Sequence, residues 1–128
     1  MKEATQKLLA KADRVLKFAE RLRTDDDGEF VVGRAYYAMF YTAEALLNEK
    51  GHRFRKHGGV HGGFREHFVK SGLLDAKYHQ WLLEAFSQRI TGDYGIESDL
   101  TAEDATALIN QAREFLETAK EFLERENI

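Results

Sequence analysis

The sequence predicts an all-α protein, an up-and-down bundle of four to five helices. Apolar residues recur at three- and four-residue steps along separate stretches, while the period-two alternation of a strand is nowhere sustained. None of the 128 residues is proline, so every backbone donor remains available and the commonest helix breaker is missing. The length suits one domain, residues 1–128, and no internal repeat or linker argues for a second.

The first helix is expected from about Lys2 to Thr24, with Leu8, Ala12, Val15, Ala19 and Leu22 in one stripe. Asp25-Asp26-Asp27-Gly28 then supplies a cap and a turn. A second helix, about Glu29 to Lys50, carries RAYYAMFYTAEALL at 34–47. Ala35, Tyr36, Met39, Ala43 and Leu46 share one of its faces, and the opposite side (Arg34, Ala38, Tyr41, Thr42, Ala45) is not properly polar. A helix apolar on two sides belongs in the middle of a bundle or at a subunit interface.

Gly51, Gly58, Gly59, Gly62 and Gly63 make the next stretch read as the least regular part of the chain. A short helix from about Phe64 to Ser71 is expected to stop at Gly72. Asp75 can cap the following helix, which reads to about Thr91 with the stripe Tyr78, Leu82, Ala85, Arg89 and a bracketing Gly92. Thr101 with Asp104 resembles a capping box, and Ala105, Leu108, Ala112, Phe115, Ala119 and Phe122 then run in one stripe towards the C-terminus.

Composition excludes several chemistries. There is no cysteine, which removes disulfides, zinc-thiolate sites and thiol nucleophiles. No apolar run reaches membrane-spanning length and no leader pattern follows the first lysine, so the expected compartment is cytoplasmic and no membrane partner is expected. The net charge is −3, but its distribution is uneven. Between Lys50 and Lys70 six bases face one acid, +5, which leaves −8 for the remainder. Four of the five histidines, His52, His57, His61 and His67, share that segment. Such asymmetry suits an anionic ligand or an acidic partner, and equally a solvated basic segment facing acidic neighbours.

Arg89 is the most informative single residue. It falls in line with Tyr78, Leu82 and Ala85, yet a guanidinium cannot shed its proton to escape burial. It therefore pairs with Asp93 four residues on, snorkels to solvent, or meets a ligand. Arg34 poses the same question beside Tyr37, Tyr41 and Glu44. Core packing accounts for Tyr36, Met39 and Phe40, whereas Tyr37 and Tyr41 suit packing and ligand contact equally. Lys56-His57-Gly58-Gly59 reads as a glycine-rich basic turn whose amides could hold a phosphate, although it matches no established nucleotide fingerprint. His57, His61 and His67 lack a fixed register and accompanying acids, so no metal site and no cofactor is expected.

Four segments in order, RAYYAMFYTAEALL (34–47), KHGGV (56–60), FREHFVKSGLLD (64–75) and RITGDYG (89–95), make the chain resemble the small prokaryotic HEPN-domain proteins along nearly its whole length. That resemblance implies a four- to five-helix bundle, a homodimer, and a partner protein of the minimal nucleotidyltransferase type, the pair being similar to a toxin–antitoxin module. It also implies that the chain holds RNA or a nucleotide in a polar cleft of Arg34, Arg89, Asp93 and Tyr94, with Tyr37, Tyr41, Lys56 and His57 as further ligand-binding candidates. The ribonuclease branch of the family places a histidine after its arginine with four to six residues between them. Here that window holds Tyr94, Gly95 and Ile96, and no histidine follows Arg89. This form resembles the nucleotidyltransferase-associated subgroup. A metal-independent ribonuclease would need Asp93, Tyr94 or a histidine of a second chain as its proton carrier beside Arg89.

Overall fold

The computed structural model describes residues 1–22, 28–94 and 100–126, with the side chains of 28–29 and 91–94 outside the description. It is all-α: α1 (Glu3–Leu22), α2 (Gly28–Glu49), α3 (His57–Phe64), α4 (Ala76–Tyr94) and α5 (Ala102–Glu126), with a π-helical turn, Arg65–Val69, directly after α3. No strand occurs among the described residues, and none of their helices is long and apolar enough to cross a membrane.

α2 is the central element. It packs against all four other helices, and Val31, Val32, Ala35, Tyr36, Ala38, Met39, Ala43, Ala45, Leu46 and Leu47 are all buried. Both of its faces are therefore spent on packing, as its two-sided apolar pattern predicts. The stripe expected in α1 is displaced by one residue: Leu9, Ala12, Leu16 and Ala19 are buried, and Leu8, Val15 and Leu22 flank them. Every residue of the α5 stripe from Ala105 to Phe122 is buried.

Local chemistry sets several ends. Asp75 Oδ1 accepts from the Lys77 amide at 2.8 Å, an N-cap for α4. Thr101 and Asp104 close a reciprocal capping box, 3.0 and 3.1 Å, with Asp in place of the usual Glu. Gly72 takes a left-handed φ of 78°, ending the segment that begins at α3. The turn expected at 25–28 lies mostly outside the described residues.

Two expectations are corrected. The glycine-rich stretch is not irregular: HGGVHGGF at 57–64 is an α-helix, continued by the π-turn that replaces the short helix expected at 64–71. Two of its four glycines act by close approach. A Cβ on Gly59 would sit 3.0 Å from Phe54 Cβ, and one on Gly63 would sit 2.5 Å from Phe54 Cε2. Four residues apart, both glycines lie on one helix face and give the Phe54 ring a flat seat. Each glycine costs about 1 kcal/mol of helix propensity. Burial of Val60, His61, Phe64 and Phe68 offsets that cost. Phe64 meets Phe68 and Phe115 at ring-centre distances of 5.7 and 5.3 Å, tying the segment to α5. The second correction is that α4 continues through Gly92 to Tyr94 rather than stopping at Thr91.

Candidate functional site

α2, α3 and the second half of α4 bring one cluster of aromatic, imidazole and guanidinium groups together. Tyr36 is fully buried on α2. Because His57 and His61 are four residues apart on α3, both reach its hydroxyl: Oη lies 2.6 Å from His57 Nδ1 and 2.8 Å from His61 Nε2. A phenol has one proton to donate, so one ring nitrogen accepts it and the other donates its own N–H to the oxygen. The tautomers of the two histidines are thereby linked.

Arg89 of α4 closes the cluster. Its guanidinium carbon lies 5.0 Å from the centre of the Tyr37 ring and 5.8 Å from that of Tyr36, within cation–π range. His57 packs against the same two rings, edge-on to Tyr37 at 5.9 Å and stacked on Tyr36 at 5.7 Å, and stacks on Phe40 at 4.4 Å. Phe86, one turn before Arg89, covers Tyr36, His57 and His61 at 5.3, 5.8 and 5.0 Å.

The electrostatics follow from this packing. Burial, assisted by the positive charge of Arg89, holds the His57 imidazole below its ordinary range. Burial depresses His61 further, to about 4, with His57 and His79 adding to the effect. His79 is itself lowered, by burial and by Arg65. Burial raises the Tyr36 phenol against a smaller opposing pull from Arg89. Among the described side chains, the cluster at neutral pH therefore sets the Arg89 cation beside neutral imidazoles and a protonated phenol.

Of the residues expected from sequence, Arg89, Tyr37 and His57 meet. Tyr41 follows Tyr37 on α2 at 5.9 Å, and Lys11 of α1 lies 4.4 Å over its ring centre. Lys56 is the exposed residue preceding α3, with extended backbone and no side-chain cap bond. The glycine-rich turn assigned to it is instead the first turn of a helix, whose leading amides have no intrahelical acceptor. Arg34 is exposed and its guanidinium carbon sits 4.9 Å over the Phe18 ring of α1, the snorkelling arrangement. α4 carries Asp93 and Tyr94 on its backbone, but their side chains lie outside the described residues. Among the described residues no three His, Asp or Glu side chains are grouped as a metal would need.

Tyr36 and His61 escape the sequence reading. Tyr36 is indistinguishable from a core aromatic until its hydroxyl is seen between two imidazoles. His57 and His61 reveal their common face only if 57–64 is read as a helix, and four glycines conceal that helix.

Residues 5–123 match the HEPN domain family. A candidate toxin of Methanocaldococcus jannaschii is 35% identical over 127 residues, which cover 99% of this chain and 86% of that protein. A UPF0332 protein of Gloeobacter violaceus is 36% identical over 119 residues, 92% of this chain and 94% of its own. A second candidate toxin of Methanocaldococcus jannaschii is 32% identical over 123 residues, with coverage of 96% and 91%. The chain belongs to the HEPN family.

Proposed function

We propose that this HEPN-domain chain is the RNA-binding, toxin-like member of a two-protein module and holds an RNA phosphodiester at Arg89 and His57. One observation carries the reading: a guanidinium set over the Tyr37 ring, with a neutral imidazole against that same ring. Arginine offers fixed donors matched to phosphate oxygens, imidazole adds a hydrogen bond, and Tyr37 and Tyr41 offer faces for an unpaired base. The names of the two archaeal relatives support a toxin-like role. The family resemblance supports a minimal nucleotidyltransferase as the second protein. It also supports a homodimer, for which Leu83 and Ile90 supply apolar surface on α4, 42% and 39% exposed and flanking Arg89 in sequence.

Fluorescence anisotropy with a short single-stranded RNA at low salt tests the binding. Wild type is expected to bind, and Arg89→Ala to weaken it at least tenfold, about 1.4 kcal/mol, with an unchanged circular dichroism spectrum. Equal affinity of the two proteins, or no binding by wild type, sinks the reading.

A specific observation favours cleavage as a second reading. Sequence alone leaves Asp93, Tyr94 or a second chain to supply the proton carrier, but His57 of the same chain stands in the Arg89 cluster. Held neutral, it could take the proton of a ribose 2′-hydroxyl while Arg89 stabilises the charged phosphorus centre. Incubation of RNA with wild type in excess chelator decides it. Intact RNA leaves only the binding role.

A further inference from the structure

We propose that the cavity beside Glu44 is a base-selecting subsite that takes guanine, so that the RNA held at Arg89 is read for a guanine nearby. The inference rests on the RNA-binding reading for its context, but the cavity is a separate feature. It has a volume of about 280 Å³ and lies between α1, α2, the segment before α3 and α3 itself. Leu8, Leu47 and Val60 give it apolar walls, and Phe54, Glu44 and Asn48 give it chemistry.

Glu44 is the group that asks for a ligand. It is half-buried, and it forms no hydrogen bond or ion pair among the described residues. Lys11 and Arg53 act on it only at longer range, too weakly to reverse the effect of burial, which pushes its carboxyl above the ordinary range. A half-buried carboxylate in this state gains most from two adjacent N–H donors. Among the four RNA bases only guanine presents such a pair on its Watson–Crick edge, N1–H beside the N2 amine; the corresponding edges of adenine, cytosine and uracil each offer a single donor group. The side-chain amine of Asn48 is engaged by Thr5 Oγ1 at 3.0 Å, which holds that amide at the cavity wall. Phe54 is kept in place by the Gly59 and Gly63 seat, presenting a ring on which a base can stack.

The surrounding charge favours a nucleotide over a cationic side chain. Lys7 and Arg53 line the cavity and Lys11 adds its charge at longer range, so the positive groups outnumber the one acid of the wall even though Lys7 also pairs with Glu3 at 3.2 Å. An ammonium or guanidinium ligand would meet that repulsion, whereas guanine with its phosphate meets an acceptor for its N–H edge and cations for its phosphate. Position also fits. Tyr37, Tyr41, Glu44 and Asn48 follow at four- and three-residue steps along α2 and are all half-buried, forming one track from the Arg89 cluster to the cavity. Glu44 stands about 10 Å along the helix from Tyr37, within reach of a base near a phosphate held at Arg89.

The experiment compares tetranucleotides UUGU, UUAU, UUCU and UUIU, where inosine keeps N1–H and loses the amine, on wild type, Glu44→Gln and Arg89→Ala. The full chain is also titrated with 5′-GMP and 5′-AMP by NMR. The guanine oligonucleotide is expected to bind at least fivefold tighter than the adenine one, with inosine between them. Glu44→Gln is expected to bring all four within twofold, and Arg89→Ala to weaken all four without changing their ratio. GMP, not AMP, is expected to shift the Asn48 and Phe54 resonances. Equal binding of the four oligonucleotides while Arg89→Ala still weakens them overturns the subsite and leaves the RNA-binding reading standing. GMP shifts without oligonucleotide binding keep the subsite and overturn the RNA reading. Neither signal overturns both.

Discussion

Arg113 and Arg89 are both half-buried arginines on long helices, and the described side chains around them differ in kind. Arg113 of α5 is met by acids: its Nη atoms lie 2.8 Å from Asp13 and from Glu20 of α1, with Glu117 at 3.6 Å. Asp13 is correspondingly held below the usual carboxylate range, chiefly by its bond to Arg113. Arg89 is set over two tyrosine rings beside an imidazole kept neutral. Carboxylates cancel a charge where it stands and turn the cation into a fastener between helices. Aromatic faces hold a guanidinium by its plane and fix its orientation, a contact different in kind from an ion pair. On the function proposed above, the Arg113 seam between α1 and α5 is scaffold and the Arg89 cluster of α2, α3 and α4 holds the ligand.

Three perturbations bear on that contrast. The largest effect is expected on the cleft side from Gly63→Val, whose branched side chain would displace the Phe54 ring from its seat. A loss of about 2 kcal/mol in denaturant unfolding is expected, and much less when Phe54→Ala is added, because the two sites share one contact. Additive losses would mean that the close approach is not what requires glycine there.

Acid is the next probe. His61, buried and depressed to about 4 from an ordinary 6.5, binds its proton less readily folded than unfolded. Stability is therefore complete above about 6.5 and falls as the pH drops towards 4, with His57 and His79 adding in the same direction. The drop for His61 alone is on the order of 2 kcal/mol. Thermal melts between pH 7.5 and 4.5 should show it, and His61→Gln should flatten the slope. A slope unchanged in that variant would place the acid sensitivity elsewhere. The smallest effect belongs to the scaffold: Arg113→Ala should cost about 1 kcal/mol and leave RNA affinity untouched. Loss of RNA binding there would erase the distinction between the two arginines.

The same division governs what can be read from sequence. The α5 stripe, the Thr101–Asp104 box, the Asp75 cap and the Gly72 stop are local patterns, and all four appear as expected. α3 is not local. HGGVHGGF has little reason to be a helix until Phe54 lies on one face and Phe64 is buried on another. With that helix hidden, the meeting of the Tyr36 hydroxyl with His57 and His61 is hidden too, whereas Tyr37, which receives Arg89, is visible as a candidate. For Arg34 the helix position is legible, but that Phe18 of α1 receives its guanidinium is a contact between helices and is not.

The π-turn at Arg65–Val69 has a consequence for how this segment can change. It holds His57 and His61 towards Tyr36 at one end and Phe68 in the core at the other. Removing a single residue from it would rotate one end by about 100° relative to the other. Either both imidazoles swing off the phenol or a phenylalanine swings into water. A stretch that looks in sequence like a forgiving glycine-rich loop is therefore a place where length is fixed, and lineages of this chain should accept substitutions there far more readily than insertions or deletions.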